Sequence, residues 1–247
     1  MIEDLFPALN KNECMELWPN LIEDEKKIDE LTGTNIAHAN ITLNSILNHE
    51  EKERLEWLFF SGDGWYKKIN QNGMLQIKLA AMSLGLTNKV FTFEYEEEKR
   101  MLEIAKNLSM DQQILNMRCY MKQKVVTYYT LKKYLKEVKK SGELSITLYR
   151  GVKHEGELKK YLFSGLESWT TSQSIAERFA KNKGYVIIKT YPIDSIFAGN
   201  RSTFKNKCSN IYIHNGFFVR REHEMIVENI ESSYLLRDNF YKPMVDE

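Results

Sequence analysis

Proline is nearly missing from this chain: none stands between Pro19 and Pro192. Proline removes a backbone donor and clashes with the preceding helical turn, so its absence over that span suits long helices. Cysteine is sparse too. Cys14, Cys119 and Cys208 are far apart and form no C-x-x-C pair, so their spacing supports neither a zinc site nor a disulfide framework. Three reduced thiols suit a cytoplasmic protein, in its own cell or a host's. The opening residues Met1-Ile2-Glu3-Asp4 are acidic, without the basic-then-apolar order of a signal peptide. A secreted effector with a specialised export route would read the same way. No apolar run approaches the roughly 18 residues of a membrane span, so no membrane association is expected.

An excess of one charge is missing as well. With 35 basic against 34 acidic side chains, overall charge gives no argument for a nucleic-acid partner, although a local basic patch stays open. There is no phosphate-cradling G-x-x-x-x-G-K-[ST] loop, no G-x-S-x-G nucleophile elbow and no H-E-x-x-H pair. What is present is ordinary: 43% hydrophobic and 28% charged residues over 247 positions, enough for a folded chain with a generous core.

The two halves differ in pattern. Asn40 to Phe60 sets Ile41, Leu43, Ile46, Leu47, Leu55 and Leu58 at helical spacing, until Gly62-Asp63-Gly64 breaks it. Met74 to Leu84 continues as helix and closes at Gly85; Tyr95 to Met110 and Gln113 to Lys140 follow in the same style. Past Ser141-Gly142, short β-branched segments take over. Leu144 to Tyr149, Tyr185 to Tyr191, Asn210 to His214, Phe217 to Arg220 and Met225 to Val227 read as strands. Gly151, Gly165, Gly184, Gly199, Asn200 and Gly216 read as turns, and Ser174 to Asn182 as one helix. The expectation is an α+β protein with a helical N-terminal region over 1–110 and a β-rich domain over 111–247. The lysine-rich stretch Lys132 to Lys140 is a solvated helix face or, alternatively, a nucleic-acid contact.

Three segments carry polar groups suited to a site. In Leu148-Tyr149-Arg150-Gly151, an arginine at a strand end before a glycine can turn its guanidinium into a cleft. Its fork geometry matches a diphosphate, and a surface salt bridge is the plainer use. In Ser168-Trp169-Thr170-Thr171-Ser172, the alternating hydroxyls Ser168, Thr170 and Ser172 share one face of a strand, and Ser172 or Ser174 can cap the helix carrying Ala176 and Phe179. In Glu222-His223-Glu224-Met225-Ile226-Val227, two glutamates at i and i+2 point the same way and repel, which suits a site that stabilises a cation. A polar strand edge is the plainer reading there.

In that order, these segments resemble the arginine–serine–glutamate class of mono-ADP-ribosyltransferases, which includes small phage-encoded enzymes and bacterial toxins. That class joins an aromatic-R-G strand end, a serine–threonine–serine strand running into an A-x-x-F helix, and an E-x-E pair before a short apolar strand. The resemblance covers about residues 144–230 and gives little for the first 140. It implies an ADP-ribosyltransferase-like split β-sandwich: two small, mainly antiparallel sheets forming a cleft for NAD, with helices from the first half on one side. The family's first serine falls at Thr170 by count back from Phe179; Ser168 is the alternative.

The resemblance also implies the chemistry, which uses NAD as a substrate and needs no metal. Breaking the nicotinamide–ribose bond develops oxocarbenium character, as glycoside hydrolysis does. Nicotinamide leaves neutral, so the enzyme must orient the ribose and stabilise positive charge. That role falls to Glu224 through the ribose 2′-hydroxyl, with Ser168 or Thr170 holding the carboxylate. Arg150 would grip the NAD phosphates, and Gly151, Thr171 and Ser172 would complete the binding segment. Glutamate at position 222 goes with arginine as acceptor in the family, so a protein arginine is the first expectation. His223 faces the other side of the strand. Phe217 and Phe218 belong to an acceptor loop or to the core.

Three rivals stand beside this reading. A toxin that modifies RNA or DNA would use the 132–140 lysines and Lys205-Asn206-Lys207 on phosphates. An NAD glycohydrolase would transfer only to water. A non-catalytic binding module would keep the fold without consuming NAD. A toxin role implies an inhibitor or antitoxin partner.

Overall fold

Short-range capping starts three of the described helices. The structure is a computed structural model. It describes residues 2–33, 36–60, 71–87, 103, 107–138, 144–163, 165–181, 184–199, 224–229, 233–235 and 240–243. Helix α1 (Lys11–Leu17) opens on a capping box: the Asn10 side chain accepts from the Glu13 amide at 3.1 Å, and Glu13 accepts from the Asn10 amide at 2.7 Å. Helices α2 (Leu21–Leu31) and α3 (Ile36–Ile46) follow. A second box between Asn48 and Glu51, at 2.8 and 2.9 Å, starts α4 (His49–Phe60). That box is why the apolar pattern from Asn40 to Phe60 forms two helices and not one.

Helix α5 (Gln71–Ser83) ends where Gly85 adopts φ +69°, as its sequence suggests. A third box, Ser109 with Gln112, opens the long α6 (Met110–Val138). The expected helix from Tyr95 to Met110 falls largely outside the described residues. No helix among those described is long and apolar enough to cross a membrane.

The strands are β1 (Ser145–Lys153), β2 (Lys160–Leu162), β3 (Leu166–Thr170), β4 (Gly184–Pro192), β5 (Ile196–Gly199), β6 (Glu224–Glu228), β7 (Ser233–Leu235) and β8 (Phe240–Tyr241). The short helix α7 (Gln173–Ala180) joins β3 to β4. Six strands form one antiparallel sheet in the order β5-β6-β3-β1-β4-β8, and β2 pairs with β7 in a two-stranded ribbon. The α+β class is therefore observed. The expected strands at Asn210 to His214 and Phe217 to Arg220 lie outside the described residues.

The sheet is uneven in its cohesion. β1 and β4 pair along nine positions, from Ser145↔Pro192 to Lys153↔Gly184. β3 and β6 pair along all five positions of each strand. Between these two ladders, β1 and β3 meet at the single pair Tyr149↔Thr170. The sheet thus consists of two three-stranded halves, β5-β6-β3 and β1-β4-β8, hinged at one residue pair beside the expected site.

Helix α6 packs on the β5-β6 side, and α3, α4 and α5 pack on α6. One continuous core results, from Phe6, Trp18 and Ile28 through Met121 and Val125 to Leu148, Trp169, Phe197 and Val227. Residues on either side of position 110 share this core. Burying apolar surface is the dominant stabilising term, so the helical region and the sheet support each other. A second, smaller cluster forms where α7 packs: Ala176, Ala180 and Val186, with half-buried Tyr149 and Tyr241 against them.

Candidate functional site

Strand β1 does not stop at Arg150. It runs straight through Gly151 to Lys153, so the expected turn at Gly151 is corrected. The glycine serves close approach instead. A Cβ there would lie 1.9 Å from the Ala176 carbonyl oxygen and 2.6 Å from the Ala180 amide nitrogen. Gly184, directly across the α7 terminus, is equally tight: its Cβ would meet the Val152 and Ala180 carbonyls at 2.2 and 2.3 Å. These two glycines are strand residues, and they let α7 lie against the β1-β4 ladder.

Strand β3 is enclosed on both faces. Leu166, Glu167, Trp169 and Thr170 are buried, and Ser168 is half-buried. Ser168 and Thr170 lie two apart within the strand and share a face, as expected. Ser172 does not join them, because β3 ends at Thr170. Thr171 sits in a bend and Ser172 is the N-cap position of α7. The Thr170 hydroxyl accepts from the Ser172 amide at 3.1 Å, which turns the chain off the strand. The Ser172 hydroxyl meets that of Ser174 at 3.1 Å. The row of three hydroxyls on one strand face is therefore two hydroxyls, with the third at the N-cap position of α7, where its side chain makes no cap bond.

Glu224 is the first residue of β6, and its backbone pairs directly with Thr170. Thr170 pairs on its other side with Tyr149. Positions 149, 170 and 224 thus stand in one row across β1, β3 and β6. Ser168 lies two residues along, opposite Ile226. The register distinguishes the two candidate hydroxyls: Thr170, not Ser168, is the direct neighbour of Glu224. Glu222, His223, Phe217 and Phe218 lie outside the described residues.

Arg150 crosses the gap where β1 and β3 part. Its Nη1 donates to the Ser168 backbone carbonyl, and Nη2 lies 4.0 Å from Glu167 Oε1. The guanidinium also sits 5.8 Å from the centre of the Tyr161 ring, whose hydroxyl donates to Glu167 at 3.0 Å. A fifth of the Arg150 side chain remains exposed, while that of Glu167 is 2% exposed. The expected bend of the backbone after Arg150 is corrected, since the strand continues, and the arginine bridges the two halves of the sheet. Glu167 and Tyr161 carry no motif that marks them in the sequence.

Two lysines of the lysine-rich segment contact their own protein. Lys132 lies over the Tyr128 and Tyr129 rings at 5.5 and 5.8 Å, and Lys133 contacts the backbone and carboxylate of Asp29. Lys136 is exposed; Lys139, Lys140, Lys205 and Lys207 lie outside the described residues. Cys14 and Cys119 are buried, and burial followed by the nearby Glu51 pushes the Cys119 thiol up to about 12. Among the described residues, no three His, Cys, Asp or Glu side chains gather as a metal site. Comparison with known protein families, curated proteins and solved structures finds no match.

Proposed function

We propose that this chain is a mono-ADP-ribosyltransferase that takes NAD, releases nicotinamide and transfers ADP-ribose to an acceptor, a protein arginine in the first instance. One observation carries the reading: three segments separated by up to 75 positions in sequence, at Tyr149, Thr170 and Glu224, occupy one row across adjacent strands. Segments that form an ordered motif only in sequence have no reason to share a row. The parting of β1 from β3 beside that row is the second support, because a split sheet leaves room for an extended dinucleotide.

In this reading the C1′–N bond to nicotinamide breaks with its electron pair leaving on the ring nitrogen, which becomes neutral. The Glu224 carboxylate holds the ribose 2′-hydroxyl and stabilises the positive charge that develops at C1′. Such placed charges are commonly worth on the order of 10²–10³ in rate. Thr170 is the hydroxyl that orients Glu224. Arg150 lies by strand alternation on the face of β1 opposite Tyr149, and its exposed part meets the NAD phosphates where the dinucleotide passes through the parting of β1 from β3. Glu222 takes the proton from the acceptor guanidinium as its nitrogen bonds C1′, a general-base contribution of about 10²–10⁴.

The test is incubation of the chain with labelled NAD and a cell lysate, beside Glu224→Gln, each sample then split between protease and nuclease. Label that requires Glu224 and is released by protease supports the reading. Release by nuclease moves the acceptor to nucleic acid, and free ADP-ribose alone makes the chain a glycohydrolase. Absence of Glu224-dependent label and of nicotinamide release overturns it.

A further inference from the structure

The strand that begins at Glu224 ends at Glu228, and that second glutamate is buried against helix α6. Its Oε2 accepts from Lys124 Nζ, and its Oε1 accepts from the Tyr120 hydroxyl at 2.7 Å. Lys124 is 2% exposed and Glu228 6%. Tyr120 and Lys124 are four apart on α6 and so lie on one helix face. The Tyr120 ring also stacks on Phe197 of β5, with centroids 4.1 Å apart, so the same helix face grips both β5 and β6. Nothing in the reading above uses these groups.

A buried ion pair is poor evidence of stability; the best-attested use of buried polar groups is to fix register. Side chains alternate along a strand, so a slip of one residue would carry Glu228 to the opposite face and leave Lys124 buried without its counter-charge. The same slip would remove Glu224 from its place opposite Thr170. The neighbouring strand leaves that slip less restrained, because the β5-β6 register shifts between Ile196 and Ala198. We infer that the Lys124–Glu228–Tyr120 contact is a register lock for β6, and that Lys124 and Glu228 are positioning residues for Glu224. This inference rests on the proposed transferase reading.

The charged and titratable groups near Glu228 are Lys124 and Tyr120 on α6 and Asp194 in the turn between β4 and β5. Asn229, next in the chain, accepts from the Tyr191 hydroxyl of β4 at 3.0 Å. Burial raises the Glu228 carboxyl above its ordinary range, and Lys124 is the largest influence drawing it back. Replacing Lys124 with methionine removes that influence and leaves desolvation and Asp194 opposed only by the Tyr120 hydrogen bond.

The experiment measures nicotinamide release by the full chain for wild type, Lys124→Met and Lys124→Met/Glu228→Gln as a function of pH. Lys124→Met removes the largest influence lowering the raised Glu228 carboxyl, so ionisation of Glu228 in that variant leaves an uncompensated buried charge and lowers turnover as pH climbs. The expected loss is on the order of 10²-fold in kcat, the scale of a misplaced catalytic group, with KM for NAD little changed. Adding Glu228→Gln removes the ionising group and abolishes that alkaline limb. Tyr120→Phe, which keeps the ring stack, guards against a failure of Lys124→Met to fold and lowers kcat to a smaller extent. Overturning results are a wild-type-like pH profile in Lys124→Met, an alkaline limb that survives Glu228→Gln, or unchanged kcat in Tyr120→Phe. Absence of turnover in the wild type is the distinct outcome that defeats the transferase reading, and this inference with it.

Discussion

Thr170 on β3 stands directly across from Glu224 on β6, with Tyr149 of β1 opposite it on the other side. Direct cross-strand neighbours interact more closely than residues two positions along. Thr170→Val removes the hydroxyl with little change in shape and is expected to lower NAD turnover at least about 10-fold, whereas Ser168→Ala has a smaller effect. Thr170→Ser keeps the hydroxyl and retains most activity. Steady-state nicotinamide release from the three variants checks this, and a larger loss in Ser168→Ala would reverse the assignment.

Gly151 is required by packing. A Cβ at 1.9 Å from the Ala176 carbonyl oxygen meets backbone, which cannot swing away. Gly151→Ala is expected to destabilise by about 1–3 kcal/mol or more, as overpacking does. Thermal unfolding measures it. A change within error of wild type would mean that α7 does not lie on β1 as described.

Arg150 and Glu167 act together across the parted strands. The 4.0 Å separation between Nη2 and Oε1, in a place where the Glu167 side chain is 2% exposed, gives them a shared environment. A double-mutant cycle with Arg150→Lys and Glu167→Gln is expected to show a coupling of about 0.5–3 kcal/mol in stability. Lysine reaches with a point charge and lacks the fork that meets the Ser168 carbonyl and the carboxylate together. Additive single effects would show the contact to be incidental.

Glu177 on α7 accepts from the Tyr241 hydroxyl of β8 at 2.5 Å and from Gln173 at 3.0 Å. The Tyr241 bond, then the Gln173 bond, hold the Glu177 carboxyl below its ordinary value of 4.5, against a slight opposing desolvation. Burial, then Glu177, pushes the Tyr241 phenol up. Because the folded carboxyl lies lower than the unfolded one, its stabilising contribution is complete above 4.5 and disappears as pH falls through the folded value. In Tyr241→Phe, NMR titration of Glu177 is expected to move upward toward the ordinary value, and the acid limb of stability weakens. An unmoved titration would mean that the β8–α7 clamp does not form in solution.

Much of the secondary structure was legible because its causes are local. Asn10 with Glu13, Asn48 with Glu51 and Ser109 with Gln112 start helices through contacts only three residues apart. Gly85 ends one by its own backbone freedom. The apolar run from Tyr185 to Tyr191 reads as a buried strand because its composition demands one. The three candidate segments were equally readable, since each lies within a few neighbouring residues.

What those segments do to one another was decided by tertiary structure. Gly151 reads locally as a turn, and Ser172 as a strand position or a helix cap; in the fold Gly151 is a strand position packed under α7 and Ser172 stands at the N-cap position of α7. The choice between Thr170 and Ser168 depends on the register of β3 against β6, and no local pattern encodes which residue of a distant strand stands opposite. The pairing of Lys124 with Glu228 joins residues 104 apart, from a helix and a strand that meet only in the folded core. Composition and period specify which faces are buried; the partner across an interface is set by long-range packing, once the chain has closed on itself.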